Sequence, residues 1–210
     1  MEFWKGFLKQ WDQDILTILK KSQEKFHGKC YYSDLAKEAL EKGCLSFPGA
    51  QEKEIIEIEN RLNMKLPPSY RDFLKETNGW RQLGFDGEDG RIFSIQEIEL
   101  FSVKYKTSFE EWLSGYGDYS PEIPDELYFV YGPEQDTVNI RNEYLKTALA
   151  ISEHVDSAVY LLNPQVRTSD GEWESWFFCY DLPGAMRYRS FQAMMEGEYV
   201  RILKAVSDVY

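Results

Sequence analysis

The chain has 210 residues, of which 43% are hydrophobic and 29% charged, with a formal net charge of −12. This composition excludes a wholly disordered chain and is typical of one globular domain with a real core. Its three cysteines lie far apart, and no apolar run has the length of a signal peptide or a spanning helix. We therefore expect a reduced, cytoplasmic protein that does not bind membranes.

The charge is spread unevenly along the chain. Residues 1–50 hold 8 Lys/Arg against 7 Asp/Glu, whereas residues 86–136 hold 13 acids against 3 bases. Such a surface repels nucleic acid and anionic membranes and attracts basic proteins. A simpler alternative stays open, namely that the acids only keep the protein in solution.

Two helices are predicted before residue 46, and we interpret residues 1–45 as an N-terminal helical extension. Residues 3–26 carry an apolar stripe with balanced charges on the other faces, which favours packing on protein over lipid. Its members are Trp4, Leu8, Trp11, Ile15 and Ile18. A second helix begins after the N-cap residue Ser33 and stops at Gly43.

A helix pair of about 30 residues follows the Phe47-Pro48-Gly49 breaker. The first helix covers residues 51–63 and the second lies between Leu66 and Gly79, with a proline pair in its first turn, where a missing N–H costs no helix hydrogen bond. We expect the second helix to be scaffold, with Phe73 buried in the core.

Strand patterns dominate the rest of the chain. The predicted strands are Arg91–Ile95, Tyr128–Tyr131, Ala148–Ser152, Val159–Leu162 and Trp176–Tyr180, with a turn over Glu153–Ala158. A last helix runs from Ser190 to Arg201. Helices followed by sequential strands predict an α+β fold, in which neighbouring strands pair antiparallel against helices.

The helix pair resembles the SUKH superfamily, the Smi/Knr cell-wall-regulator group known as bacterial toxin-immunity proteins. The likeness rests on Ile55-Ile56-x-x-Glu59-x-x-Leu62, on Leu66-Pro67-x-x-Tyr70-x-x-Phe73-Leu74 and on Asn78-Gly79. Weaker agreement comes from the strand entry at Ile92–Ile98, from Tyr160–Pro164, from Glu172–Trp176 and from Ser190-Phe191. The resemblance covers roughly residues 46 to 205 and implies a domain over residues 46–210, with a twisted antiparallel sheet against helices. It also implies a binding role and no enzymatic activity.

The residues themselves give little support for catalysis or metal binding. His27 and His154 are the only histidines, and neither lies in a recognisable nucleophile arrangement. The loop Gly84–Gly90 does not follow the twelve-residue calcium pattern. We expect no catalytic residues, no metal and no cofactor, although a pair of facing carboxylates, as in a hydrolase, stays open.

The predicted partner-binding residues lie in the acidic region and mix carboxylates with aromatic anchors. They are Asp86, Glu88, Asp89, Trp112, Tyr116, Asp118, Tyr119 and Glu122. Reversing the charges of Asp86, Glu88 and Asp89 is expected to slow association with a basic partner. The alternative for the stretch from Glu110 to Glu122 is an irregular loop in which Trp112 plugs the core.

Three functions follow, in order of preference. The first is an immunity protein that occupies a cognate bacterial polymorphic toxin, such as a nuclease. The second is a regulatory or scaffolding module with an endogenous protein partner, and the third is a carboxylate-based hydrolase. The partner is expected to be the toxin or another basic protein, not nucleic acid or membrane, and the protein itself a monomer or homodimer.

Overall fold

Amphipathic helices and short strands follow one another in the computed structural model, which describes residues 2–25, 33–83, 89–116, 122–180 and 184–209. The side chains of residues 23, 25, 116 and 205–209 are outside that description. By its internal contacts the chain forms two units, one of Met1–Met64, Tyr70–Gln96 and Met195–Tyr210, the other of Lys65–Ser69 and Glu97–Met194. The predicted boundary at residues 45/46 stays a prediction.

The described helices are α1 (Glu2–Lys25), α2 (Asp34–Lys42), α3 (Glu52–Leu62), α4 (Pro68–Glu76), α5 (Phe101–Lys104), α6 (Lys106–Tyr116), α7 (Asp125–Tyr128) and α8 (Phe191–Val209). The described strands are β1 (Trp80–Gln82), β2 (Gly90–Ile92), β3 (Glu99–Leu100), β4 (Leu149–Ala150), β5 (Ala158–Arg167), β6 (Trp173–Cys179) and β7 (Gly184–Tyr188). Within these residues, no helix combines the length and apolarity needed to cross a membrane.

The first helix buries the stripe that its sequence predicts. Trp4, Leu8, Trp11 and Ile15 are each at most 4% exposed. The ring of Trp4 meets Phe73 edge to face at 5.3 Å. Farther along, Leu16 and Leu19 are buried while the predicted Ile18 is only half-buried, because a 3.5-residue spacing drifts around a helix of 3.6 residues per turn.

The caps of α2 are also as predicted. The Ser33 side chain accepts a hydrogen bond from the backbone N–H of Ala36 at 3.0 Å, which satisfies one free donor of the first turn. Gly43 ends the helix in the left-handed conformation at φ 68°. Both boundaries therefore follow from local backbone chemistry.

The α3–α4 pair forms a buried scaffold. Tyr70, Phe73 and Leu74 are fully buried, which confirms the prediction for Phe73. On α3, Glu59 is 2% exposed and pairs with Arg71 of α4, so the glutamate of the resemblance motif has a structural partner. Gly49 precedes the pair because a Cβ there would stand 1.9 Å from the carbonyl oxygen of Lys75.

The second unit contains a five-stranded antiparallel sheet in the order β3-β4-β5-β6-β7. Each strand pairs with the next along the chain, as Tyr160 with Phe177 and Phe177 with Met186. One face carries Val159, Leu161, Trp176, Phe178 and Ala185, all buried in one core cluster. The predicted α+β class with a twisted antiparallel sheet is thereby confirmed.

The predicted turn over Glu153–Ala158 is a tight hairpin. Val155 and Ala158 exchange backbone hydrogen bonds of 2.9 and 2.8 Å. Asp156 and Ser157 lie between them with φ values of 44° and 60°. Two central residues with positive φ define a type I′ turn, whose twist suits antiparallel strands.

The predicted strand Tyr128–Tyr131 is wrong. Pro124 starts the one-turn helix α7, with Asp125 and Glu126 in its first turn, and Tyr128 ends it. The carbonyl oxygens of Tyr128 and Val130 then accept hydrogen bonds from the Arg187 side chain, not from a neighbouring strand. Tertiary contacts thus override the strand propensity of this aromatic run.

A glutamate caps the first turn of α4. The Glu172 carboxylate accepts hydrogen bonds from the Ser69 backbone N–H at 2.7 Å and from its hydroxyl at 2.6 Å. A carboxylate at a helix N-terminus satisfies free donors and complements the helix dipole. This contact links the Leu-Pro-x-x-Tyr motif to the Glu172–Trp176 motif.

We expect Glu172→Ala to lower the free energy of unfolding by about 1–2 kcal/mol, because it removes a charged cap. Urea unfolding followed by circular dichroism measures the loss. Glu143→Ala, at an exposed position, is the control and should change stability by less than about 0.5 kcal/mol. Equal losses in the two variants would contradict a capping role.

Candidate protein-binding surface

Most of the residues predicted to bind a partner fall outside the described part of the chain. These are Asp86, Glu88, Asp118 and Tyr119. The side chain of Tyr116 is also outside the description. The expected effect of reversing the charges at positions 86, 88 and 89 therefore stays a prediction.

The three remaining residues lie in different environments. Trp112 is 2% exposed, and its indole N–H donates to Asn142 Oδ1 at 2.8 Å. The centroid of its ring lies 4.7 Å from that of Phe178. Trp112 is therefore a core residue and does not fit the expectation of a surface anchor. Asp89 is half-buried and accepts a hydrogen bond from Ser33, whereas Glu122 is exposed.

Glu122 begins what we call the acidic segment, residues 122–138. The segment contains five acids and neither Lys nor Arg. All five acids are exposed, namely Glu122, Asp125, Glu126, Glu134 and Asp136. Asp125 pairs with Arg141 at 2.5 Å, and no other described cation lies within ion-pair distance of the segment's carboxylates.

Large apolar side chains stand among these acids. Leu127 is 49% exposed, Phe129 41% and Val138 52%. In contrast, Ile123 and Tyr128 turn inward and are at most 8% exposed. The segment therefore has a buried inner side and an outer side that exposes both apolar groups and carboxylates.

The inner side is fixed by a buried carboxylate on β6. Glu174 Oε2 accepts from the Tyr128 hydroxyl at 2.6 Å, and Oε1 accepts from the Tyr131 hydroxyl at 2.9 Å. Oε2 also accepts from Asn163 Nδ2 at 2.9 Å and from the Trp176 indole N–H at 2.7 Å. A buried charge needs this number of donors to replace its lost hydration.

The carboxylate also pairs with a buried arginine. Arg187 Nη1 lies 3.5 Å from Glu174 Oε1, and both side chains are fully buried. Their positions follow from the sheet register, which sets Asn163 opposite Glu174 and Arg187 opposite Trp176. The otherwise apolar sheet face thus ends in a polar row across three strands.

Arg187 holds the segment on both sides of Phe129. Its guanidinium donates to the carbonyl oxygens of Tyr128 and Val130, the second at 3.3 Å. The guanidinium also lies over the Tyr128 ring, with Cζ 4.3 Å from the ring centroid. The backbone on either side of the exposed Phe129 is therefore hydrogen-bonded to a side chain of strand β7.

The end of the segment covers the free edge of β7. The Gln135 amide accepts from the Arg187 backbone N–H at 2.7 Å and donates to the Arg187 carbonyl at 3.2 Å. Ala185 N–H donates to Thr137 O at 2.9 Å. Gly184 permits this approach, because a Cβ there would stand 1.9 Å from Thr137 O. An edge strand is thereby closed to pairing with other chains.

The two tyrosines remain proton donors at any physiological pH. Burial raises the pKa of Tyr128 and of Tyr131, and the negative charge of Glu174 raises both further. A phenol with a raised pKa keeps its proton and so keeps donating to the carboxylate. The hydrogen bonds from the two phenols to Glu174 are therefore kept as the pH rises above neutral.

Sequence reasoning missed Leu127, Phe129 and Val138. The run Tyr128–Tyr131 has the pattern of a buried strand, which hid the outward position of Phe129. Pro124 followed by Asp125 and Glu126 was the available signal, since a proline and then acids are typical of a helix start. The outward position of the apolar side chains within and after α7 has no sequence signature of its own.

Metal-binding and catalytic arrangements have little support among the described residues. In the part of the chain that the structure describes, no group of three or more His, Cys, Asp or Glu side chains could hold a metal ion. His154 is packed between the rings of Tyr105 and Tyr180, each 5.6 Å away, and burial lowers its pKa. Such surroundings are those of a packed aromatic, not of a general base.

Comparison with known proteins agrees with the resemblance carried by the helix pair. No curated protein matched the chain at the significance required. The family model described as SMI1 / KNR4 family (SUKH-1) matches residues 49–197, which is more than half of the chain. The match includes α3, α4, the five-stranded sheet and the acidic segment. The chain therefore belongs to the SMI1 / KNR4 family (SUKH-1).

Proposed function

We propose that this protein is an immunity protein that neutralises a cognate bacterial toxin, a nuclease in the first instance, by occupying the toxin domain. The family is of a protein-interaction type and generally non-catalytic, with immunity and regulator members. The observation that carries the proposal is the acidic segment, whose 17 residues include five exposed acids and neither Lys nor Arg.

A nuclease is a fitting target because its substrate cleft must attract phosphate. Clefts of this kind are lined with Lys and Arg. A protein surface of exposed carboxylates can imitate the phosphate charge, and the long-range field raises the rate of encounter. The same charge makes binding of nucleic acid by this chain unfavourable, so a basic protein is the expected partner.

Family membership also supports a second candidate, a regulatory module with an endogenous protein partner, because the family includes regulators. The two candidates differ in what happens to enzymatic activity. An immunity protein abolishes the activity of its target at equimolar amounts, whereas a regulatory module leaves a nuclease domain from the neighbouring gene active.

The test uses the product of the gene next to this one, in which the proposed function predicts a nuclease toxin domain. The purified domain is titrated with the wild-type protein while its nuclease activity is measured. We expect complete inhibition at one molecule of this protein per toxin domain. Full activity in the presence of excess protein would overturn the immunity function.

The acids are expected to act on association. Changing Glu122, Glu126 and Glu134 together to Lys should lower the association rate about tenfold or more at low salt, because steering is lost. The difference should shrink as added salt shortens the screening length from about 10 Å at 0.1 M toward about 3 Å at 1 M. Stopped-flow mixing at several salt concentrations measures both.

The control reverses two exposed acids outside the segment, Glu57 and Glu110, each with a side chain 62% exposed and 3.7 Å from a lysine of its own helix. These changes alter the net charge but not the charge of the segment. If they slow association as much as the segment variant does, general charge and not this segment steers the partner.

A further inference from the structure

We infer that Leu127, Phe129 and Val138 are the anchors of the binding surface, and that they enter an apolar recess ringed by Lys and Arg on a basic protein partner. The inference rests on the proposed function and adds to it the chemistry of the contact. In this inference the carboxylates of the acidic segment speed association with the partner, and the apolar groups slow dissociation.

The first argument is the concentration of exposed apolar groups. Of the seven large hydrophobic side chains that are exposed among the described residues, three lie in this 17-residue segment. The other four, Phe3, Ile56, Val103 and Val200, are spread over four helices. Single exposed apolar residues are ordinary on protein surfaces, whereas their clustering in one segment is typical of an interaction site.

The second argument is that the backbone carrying these side chains is held in place before binding. Tyr128 is fully buried, which directs its chain neighbours Leu127 and Phe129 outward. Arg187 ties the carbonyl oxygens before and after Phe129, and Thr137 is tied to β7 beside Val138. Backbone that is already fixed loses little conformational entropy on binding, so the apolar contact area of the side chains it carries contributes more fully to affinity.

The third argument identifies the occupant by its charge. The charged residues of the segment itself are all carboxylates, and Arg141, whose Cζ lies 5.7 Å from the Phe129 ring, is paired with Asp125. Apolar anchors in such surroundings suit a recess with a cationic rim. Nucleic acid and anionic membrane surfaces are repelled by the same carboxylates. A second copy of this chain would bring like charges together, since each copy carries five acids in the segment and a net charge of −12. A basic protein is the occupant that remains.

The anchors and the acids should differ in kinetics. Long-range charge acts mainly on the association rate, while short-range contacts in a desolvated centre act mainly on dissociation. Removing an anchor should therefore shorten the lifetime of the complex without slowing its formation. If the surface acted only through charge, removing an anchor would leave the dissociation rate unchanged.

The experiment measures dissociation of the toxin domain of the neighbouring gene by surface plasmon resonance. The variants are Leu127→Ser, Phe129→Ser and Val138→Ser, with Val103→Ser and Val200→Ser as controls at positions 60% and 64% exposed. We expect Phe129→Ser and Leu127→Ser each to raise the dissociation rate about tenfold or more, and the controls to leave it within about twofold. Association rates should stay unchanged in all five.

Folding is checked separately, because the apolar groups flank the buried Tyr128. Each variant should keep the melting temperature of the wild type within a few degrees, and hydrogen exchange of the wild-type complex should show new protection over residues 122–138. That second measurement needs no variant.

The outcomes separate the two claims. If the wild-type protein does not bind the toxin domain, the proposed function fails and the inference with it. If the wild type binds while Phe129→Ser and Leu127→Ser dissociate as slowly as Val103→Ser, with no new protection over residues 122–138, the proposed function stands and the anchors are overturned.

Discussion

Replacing Glu174 with Ala is expected to lower the free energy of unfolding by about 3–5 kcal/mol. The change leaves the fully buried Arg187 charge without its carboxylate. It also removes the acceptor of four hydrogen bonds, from Tyr128, Tyr131, Asn163 and Trp176. Unpaired buried donors and an uncompensated buried charge are among the few single-residue defects of this size. Urea unfolding followed by circular dichroism measures it.

A paired variant distinguishes charge compensation from loss of volume. Glu174→Met with Arg187→Met removes both charges and keeps most of the volume, so it should recover a large part of the lost stability. Glu57→Ala is the control for an exposed glutamate, with an expected change of less than about 0.5 kcal/mol. A Glu174→Ala variant as stable as Glu57→Ala would show that the carboxylate does not hold the segment.

The helical part of the fold was predictable because its signals are local. The stripe of α1 from Trp4 to Ile15 follows from spacing alone. The ends of α2 follow from Ser33 and Gly43, whose caps form within four residues. The α3–α4 pair was equally clear from its prolines and its apolar face. In these places sequence neighbours decide the structure, so the pattern of one segment suffices.

The sheet was predicted in class but not in detail, because its evidence is non-local. Strands β3 and β4 have two residues each, too few for a period of two to be recognised. Strand β5 is the opposite case, with ten residues against four predicted, since its polar end at Asn163 looks like a loop. That end is strand because Asn163 faces the Glu174 carboxylate on the next strand.

The binding surface depended still more on tertiary contacts. Tyr128 and Phe129 are chemically similar neighbours, yet one is fully buried and the other 41% exposed. What separates them is the pair Glu174 and Arg187, about 50 residues away along the chain. The acidity of the segment was visible in the sequence, whereas its exposed apolar side chains could be placed only after the buried pair was known.

The residues that carried the family resemblance have structural partners. Glu59 pairs with Arg71, Phe73 packs in the core, and Glu172 caps α4 through Ser69. Residues that maintain a scaffold identify a fold without identifying a ligand. The partner is therefore expected to be recognised by the solvent-facing acidic segment and not by these motif residues.

The helical extension is expected to be part of the folded core, and Trp11→Ala should lower the free energy of unfolding by about 3–5 kcal/mol. Trp11 is 1% exposed, and its ring lies 5.6 Å from Trp80 and 5.3 Å from Tyr199. Truncating it opens a large cavity among aromatic side chains that are themselves buried or half-buried. Thermal and urea unfolding by circular dichroism avoid the loss of a fluorescent probe.

Phe3→Ala is the matched control, since Phe3 lies on the same helix but is 38% exposed. Its loss should cost about 1 kcal/mol, the range of a single aromatic contact such as its stacking on Phe7 at 5.3 Å. Removing residues 1–45 altogether should cost more than Trp11→Ala, because Trp4, Leu8 and Ile15 leave the core as well. A truncated protein that unfolds cooperatively with wild-type stability would instead make residues 46–210 an independent domain and the extension an accessory.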